Sequence, residues 1–288
     1  MTTLPNAAIH VVDVFADQPL AGNPLAVMVA DVLPDAPLRQ AIARETNLSE
    51  TTFLTLFPAA DGSWPVRIHT PTEELPFAGH PVLGTAWVIR ERLSGSSPDR
   101  LVLQTGKGDV PVRFEGSGPS ARVWLEAPAA TLKPGVPDAL LASVADAFAS
   151  GPLPRWSGNN GPKFLLLSTD DPAALEQPIR DSGALASVLA ATASTGVLLA
   201  APVPGMTLGQ GFAVRVFFLA DGLREDPATG SAAAVFGECL RRAGHVGDCL
   251  LEQGTAMGRP SRIHLGIPLD GPIEVGGAVQ PVWRGSFG

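Results

Sequence analysis

The chain of 288 residues contains no tyrosine. Any mechanism that needs a tyrosine acid or base is excluded, including the usual chemistry of short-chain dehydrogenases. Only two cysteines occur, Cys239 and Cys249. Two thiols cannot build a disulfide framework, so a reducing, cytoplasmic compartment is expected. Lysine is confined to Lys107, Lys133 and Lys163, none in a motif that would support a Schiff base. Positive charge is scarce: 20 Lys and Arg stand against 28 Asp and Glu, a formal net charge of −8. With no basic run, neither nucleic acid nor an anionic membrane surface is an expected partner. The first basic residue is Arg39, so a secretory leader with a positive start is not expected. The charge-free stretch from Ser182 to Val214 is broken by Pro202 and Pro204, and reads as a buried helix followed by a buried strand, not a membrane span.

Nucleotide and metal signatures are missing too. There is no phosphate-binding G-x-x-x-x-G-K-[ST] loop. The string Gly116–Ala121 imitates a dinucleotide fingerprint but lies between two strands, and reads as a turn. No G-x-S-x-G elbow occurs, and the five histidines and two cysteines show no zinc spacing. No metal and no organic cofactor are expected.

Hydrophobic residues make up 45% and charged residues 17%, enough apolar material for two domains or one large one. Strands are expected at Ala7–Phe15, Leu25–Ala30, Thr51–Leu56, Val66–Thr70, Leu101–Gln104, Val110–Phe114, Arg122–Glu126, Phe164–Ser168, Gly196–Ala201 and Phe212–Leu219, with short strands closing the chain. Helices are expected at Pro37–Thr46, from Ala78 to about Leu93, at Asp138–Phe148, and from Thr229 to about Ala243, with one or two more between Ser168 and Gly196. Pro71–Phe77 and Ala220–Ala228 read as loops. Strands and helices without regular alternation indicate an α+β fold.

An internal repeat organises these elements. Val66-Arg67-Ile68, an acidic loop, and Gly79 at a helix start with Arg90 eleven residues on are matched by Val214-Arg215-Val216, an acidic loop, and Gly230 with Arg241 eleven residues on. The offsets are 148 residues for the Arg pair 67 and 215, and 151 for the Gly pair 79 and 230. Two similar domains follow, each with a helix whose unpaired N–H groups and positive dipole end suit a small carboxylate.

The chemistry that remains is acid–base. Glu73, Glu74, Glu225 and Asp226 lie near the helix starts, and Glu50 sits at a helix-to-strand junction. Most loop carboxylates are solvated charges. Asp226, between a buried strand and an Ala-rich helix, and Glu50, between Leu48 and Thr51, are the two expected to be partly buried and raised toward working pH. His80 at a helix start is expected to be neutral, Ser231 is a candidate N-cap, and both cysteines read as structural.

Five segments occur in order along the chain: Gly22-Asn23-Pro24-Leu25-Ala26-Val27, Asn47-Leu48-Ser49-Glu50-Thr51-Thr52-Phe53, Glu74-Leu75-Pro76-Phe77-Ala78-Gly79-His80-Pro81, Glu225-Asp226-Pro227-Ala228-Thr229-Gly230-Ser231-Ala232, and Gly258-Arg259-Pro260-Ser261. In these the sequence resembles the PhzF-like phenazine-biosynthesis family. The resemblance implies two pseudo-symmetric diaminopimelate-epimerase-like domains, each a β-barrel-like sheet around a central helix, with the active site between them. Expected boundaries are 1–118 with a C-terminal strand at about 280–288, and 119–279. It further implies a homodimer, Glu50 as the acid–base group, His80 and Asp226 as its catalytic companions, and Gly79, Gly230 and Ser231 as substrate-binding residues. The expected function is a cofactor-independent isomerase that shifts a proton on a small carboxylic acid. An amino-acid racemase or epimerase, and a non-catalytic small-carboxylate binding protein, are the alternatives. No cysteine stands beside either helix start, unlike the two-cysteine epimerases of that fold. Residues 130–205 carry no segment of the resemblance.

Overall fold

A computed structural model describes residues 7–118, 121–220 and 222–287, with the side chain of Phe287 excluded. Pro119 and Ser120, which close the expected turn and open the expected second domain, lie outside the described residues. So does Asp221, within the expected loop after residue 220. The chain forms two compact units, residues 1–126 with 276–288, and residues 127–275.

The first unit contains β1 (Ala7–Val14), β2 (Asn23–Ala30), α1 (Ala36–Thr46), β3 (Glu50–Thr55), β4 (Trp64–His69), β5 (Glu74–Leu75), α2 (Gly79–Val88), β6 (Arg100–Thr105), β7 (Gly108–Glu115), β8 (Arg122–Glu126) and most of β17 (Glu274–Phe287). β1 pairs antiparallel with β17 and β2, β2 parallel with β3, β3 antiparallel with β4, and β4 parallel with β6. β6, β7 and β8 continue antiparallel, and β8 meets β17, closing an eight-stranded barrel. β5 adds a short antiparallel flap to β4. α2 is apolar around its whole circumference, as a helix enclosed on every side must be, and every residue from His80 to Val88 is buried.

The second unit contains β9 (Thr131–Pro134), α3 (Asp138–Ser143), β10 (Trp156–Asn159), β11 (Lys163–Ser168), α4 (Ser182–Ala191), β12 (Gly196–Pro202), β13 (Gly211–Ala220), β14 (Gly222–Asp226), α5 (Gly230–Arg242), β15 (Gly247–Gln253) and β16 (Ser261–Ile267). Its pairings repeat those of the first: β10–β11 antiparallel, β11–β12 parallel, β12–β13 and β13–β14 antiparallel, β13–β15 parallel, β15–β16 antiparallel. The register repeats as well. Ile68 faces Leu75, and Val216 faces Asp226, so the 148-residue offset holds for β4 and β13 and the 151-residue offset for β5 and β14. The repeated arginines share one structural task. Arg90, in a π-type turn that extends α2, reaches Gly116 O and lies 4.5 Å from the Phe114 ring centroid. Arg241 at the end of α5 donates to Gly271 O at 2.7 Å. Each ties its central helix to a hairpin loop.

Five expectations are corrected. The loop expected at Pro71–Phe77 contains β5, paired with β4. The helix expected at Asp138–Phe148 stops at Ser143, whose hydroxyl bonds back to Leu140 O at 2.8 Å. Val144 turns extended and bridges Ile179, and a 3₁₀ turn follows at Asp146–Ala149. The loop expected after residue 220 is instead β14, paired with β13. The last strand, β17, is long, with 14 residues, not short. β9 and β10, each four residues, have too few alternating apolar positions to register as strands. The charge-free stretch becomes α4, β12 and the start of β13, and packs Leu185, Leu189, Val197 and Leu199 into one core with Leu165 and Leu167. Among the described residues no helix is long and apolar enough to cross a membrane.

Candidate active site

Glu50 is placed by the junction before it. α1 ends at Asn47 in the left-handed conformation (φ 50°), its N–H bonded to Ala43 O, a task asparagine tolerates better than most residues. Thr46 Oγ1 then meets Thr51 Oγ1 at 2.7 Å, fixing the start of β3. Alternation along the strand puts Glu50 and Thr52 on the same face. Both turn toward α2: Thr52 Oγ1 lies 2.8 Å from Thr85 Oγ1, and Glu50 Oε2 lies 3.2 Å from His80 Nε2. The second is a close approach and not an aligned hydrogen bond. The Glu50 side chain is 16% exposed and that of His80 8%, so both are withdrawn from bulk water.

Burial pushes the His80 imidazole from its ordinary 6.5 down to about 3, so it is neutral at pH 7. The expected neutrality is present, with loss of hydration as the cause given by the geometry, in place of the helix dipole. α2 starts at Gly79 behind Ala78, which has no side chain able to cap. The first-turn N–H groups of Gly79 and His80 are therefore left uncapped by any side chain.

The second unit builds its candidate residues around one turn. Asp226 ends β14 opposite Val216 and is only partly buried. Thr229 Oγ1 donates to Asp226 Oδ2 at 2.6 Å. Gln253, 1% exposed at the end of β15, holds this turn from beneath. Its Nε2 donates to Asp226 O at 2.8 Å and to Thr229 Oγ1 at 3.1 Å, and its Oε1 accepts from Thr229 N at 3.1 Å. Gly254, with φ 76°, presses against the same turn: a Cβ there would sit 2.6 Å from Pro227 O and 2.3 Å from Arg259 O. The Gly258–Ser261 segment thereby backs the Asp226–Ser231 segment. Thr229, not Ser231, is the N-cap residue of α5, and its side chain caps nothing because Asp226 has claimed it. Gly230 is buried at the helix start, and the Ser231 carbonyl accepts from Asn160 Nδ2 at 3.0 Å.

Glu50, Gly79 and His80 are thus brought together in the first unit, and Asp226, Gly230 and Ser231 in the second. The other acids near the helix starts have ordinary tasks. Glu73 is exposed. Glu74 lies 3.4 Å from Arg39 and 3.6 Å from Arg67. Glu225 takes both forks of Arg215, at 2.8 and 2.6 Å. Both cysteines are buried, Cys239 in α5 and Cys249 in β15. Burial raises both thiols, that of Cys249 to about 12. Among the described residues no three His, Cys, Asp or Glu gather where a metal ion could be held. Gln253, Thr229, Thr52 and Thr85 were not singled out by sequence reasoning. Gln253 lies 24 residues from the turn it holds, and its only trace is the neighbouring Gly258–Ser261 segment.

The trans-2,3-dihydro-3-hydroxyanthranilate isomerase of Pseudomonas aeruginosa is 36% identical over 261 residues, 88% of each chain. A PhzF-family phenazine biosynthesis protein of Bacillus anthracis superposes with a TM-score of 0.82 over 99% of both chains at 20% identity. A hydroxyproline epimerase of Agrobacterium vitis shares the fold with a TM-score of 0.66 over 99% of this chain and 93% of its own, at 12% identity. Residues 12–279 match the family described as phenazine biosynthesis-like protein, and with relatives of this kind named as isomerases the chain belongs to that family and is an isomerase.

Proposed function

We propose that the protein moves a proton between two positions of a small carboxylic acid, without metal or organic cofactor, with Glu50 as the acid–base group. The observation that carries the reading is the approach of Glu50 to a neutral, buried His80 at the start of α2. A carboxyl group screened from water suits proton transfer to and from carbon, and the neutral imidazole can polarise or position without adding a positive charge. The uncapped starts of α2 and α5 supply unclaimed N–H groups for the substrate carboxylate and for charge developing on it. In this reading the start of α2 at Gly79-His80 receives the substrate carboxylate, and the start of α5 at Gly230-Ser231 offers the same kind of anion-binding N–H groups in the second unit. Asp226, held by Thr229 and Gln253, is available as an acceptor for a substrate donor.

Racemisation by two thiols is disfavoured, because Cys239 and Cys249 are buried and burial raises both thiols. The test is incubation with trans-2,3-dihydro-3-hydroxyanthranilate, the substrate in the name of the Pseudomonas relative, and with a panel of small carboxylic acids, read by NMR. An isomer of unchanged mass from at least one acid supports the reading. A redox or hydrolytic product, or saturable binding without turnover across the panel, overturns it.

A further inference from the structure

The first unit encloses a cavity of about 220 Å³ at the end of α2 remote from Gly79, lined among others by His10, Trp87, Arg92, Trp283 and Arg284. His10 and Arg284 are opposite partners in the β1–β17 ladder, and Val282 bulges from β17 where the register shifts. Directly paired residues share a face of the sheet, and here it is the barrel interior: Val12 and Val14, on the same face as His10, are the side chains that crowd Gly84 of α2. Arg92, just beyond α2, sits 5.6 Å from the Trp87 ring centroid.

Neither Arg92 nor Arg284 pairs with an acid among the described residues. Glu91, the acid beside them in sequence, turns to Arg90 at 3.8 Å. Arg92 complements the negative end of α2, but Arg284 stands on a strand and has no such task. In a chain of net charge −8, two uncommitted guanidiniums at one barrel mouth reverse the local sign. Burial, and then Arg92 and Arg284, hold the His10 imidazole below its ordinary value, leaving it neutral at pH 7 and free to donate or accept.

We propose that this mouth binds a small organic anion, a carboxylate on a flat apolar body, apart from the catalytic residues. The guanidiniums take the carboxylate in charge-assisted hydrogen bonds, and Trp87 supplies an aromatic wall for the flat body. The cavity lies below the roughly 300–1,000 Å³ of drug-sized pockets, so the ligand is a single small ring or its equivalent. Trp87 follows His80 by seven residues on one helix, about 10 Å along the axis, far enough for a separate ligand.

The test uses the full chain labelled with ¹⁵N at its tryptophan indoles and titrated with benzoate at constant ionic strength. A saturable shift of the Trp87 indole resonance is expected. Arg92→Gln and Arg284→Gln should each weaken it by about tenfold or more, and Glu50→Gln should leave it unchanged. Arg284 is exposed, so its variant should fold even if Arg92→Gln does not, and a melting curve checks both. The proposal is overturned by the absence of a saturable Trp87 shift, by one that both Arg variants retain in full, or by one that Glu50→Gln removes. A response to inorganic phosphate as strong as that to benzoate overturns the choice of ligand.

Discussion

Glu50 and His80 illustrate how a candidate site residue is made by what surrounds it. Glu50 begins a strand whose other inward positions are apolar or small, and His80 begins a helix with no exposed side. Both were legible in the sequence because short segments around them resemble a family. The burial that lowers the His80 pKa was not, since it depends on a barrel closing around α2. It has a measurable consequence. The folded-state value of about 3 lies below the ordinary 6.5, so between those limits the unfolded chain binds a proton that the folded chain refuses. The stabilisation is complete above about pH 6.5 and is lost as pH falls toward 3. His10 and His69 are also lowered, chiefly by burial, so the whole protein should lose stability across that range. His80→Gln should make the dependence of the urea midpoint on pH shallower by roughly one proton. Identical slopes for variant and parent would rule out a neutral buried His80.

The elements around the site were read unevenly from sequence. α1, α2 and α5 stand where their apolar spacing puts them, and of the three only α1 has a side-chain cap, from Asp35. β14 went unread because Arg224, Glu225 and Asp226 carry no apolar alternation, and the strand forms only as the return arm of a hairpin from β13. The 226–229 turn depends on Gln253, a residue with no local signal. Gln253→Leu leaves Thr229 N and Asp226 O without these partners, and should cost about 1–3 kcal/mol. It should also lower activity more than a stability loss of that size accounts for, since Thr229 Oγ1, which holds the Asp226 carboxylate, loses the Gln253 contact that fixes it. Chemical denaturation and kcat measured together decide this, and an unaltered kcat would leave Gln253 a purely structural residue. Packing gives a second prediction. A Cβ on Gly276 would fall 2.3–2.9 Å from the Trp124 indole, a rigid neighbour in the adjoining strand. Gly276→Ala should destabilise the first barrel by about 1–3 kcal/mol, visible as a lower melting temperature, and a neutral effect would contradict the close packing of β8 on β17.

Across the whole molecule the internal repeat was the most legible feature, because the strand before each central helix and the helix start itself recur at offsets of 148 and 151 residues. The repeat is structural and not chemical. By register, the counterpart of Glu50 in the second unit is Gly196, and the counterpart of Asp226 in the first is Leu75. Two similar frames therefore carry different side chains at these positions, and the proposed function accordingly puts the acid–base burden on one carboxyl group rather than on a symmetric pair. That single-base account is tested most directly in heavy water, with any carboxylic acid that the protein isomerises. The product should gain deuterium at the carbon that is reprotonated, at less than full occupancy, because one group lifts the proton and returns part of it before exchange with solvent. Glu50→Gln should lower kcat by about 10²–10⁴-fold and remove the exchange to the same extent, with a melting temperature close to that of the parent. Parent-like turnover and deuterium uptake in a folded Glu50→Gln protein would contradict the account.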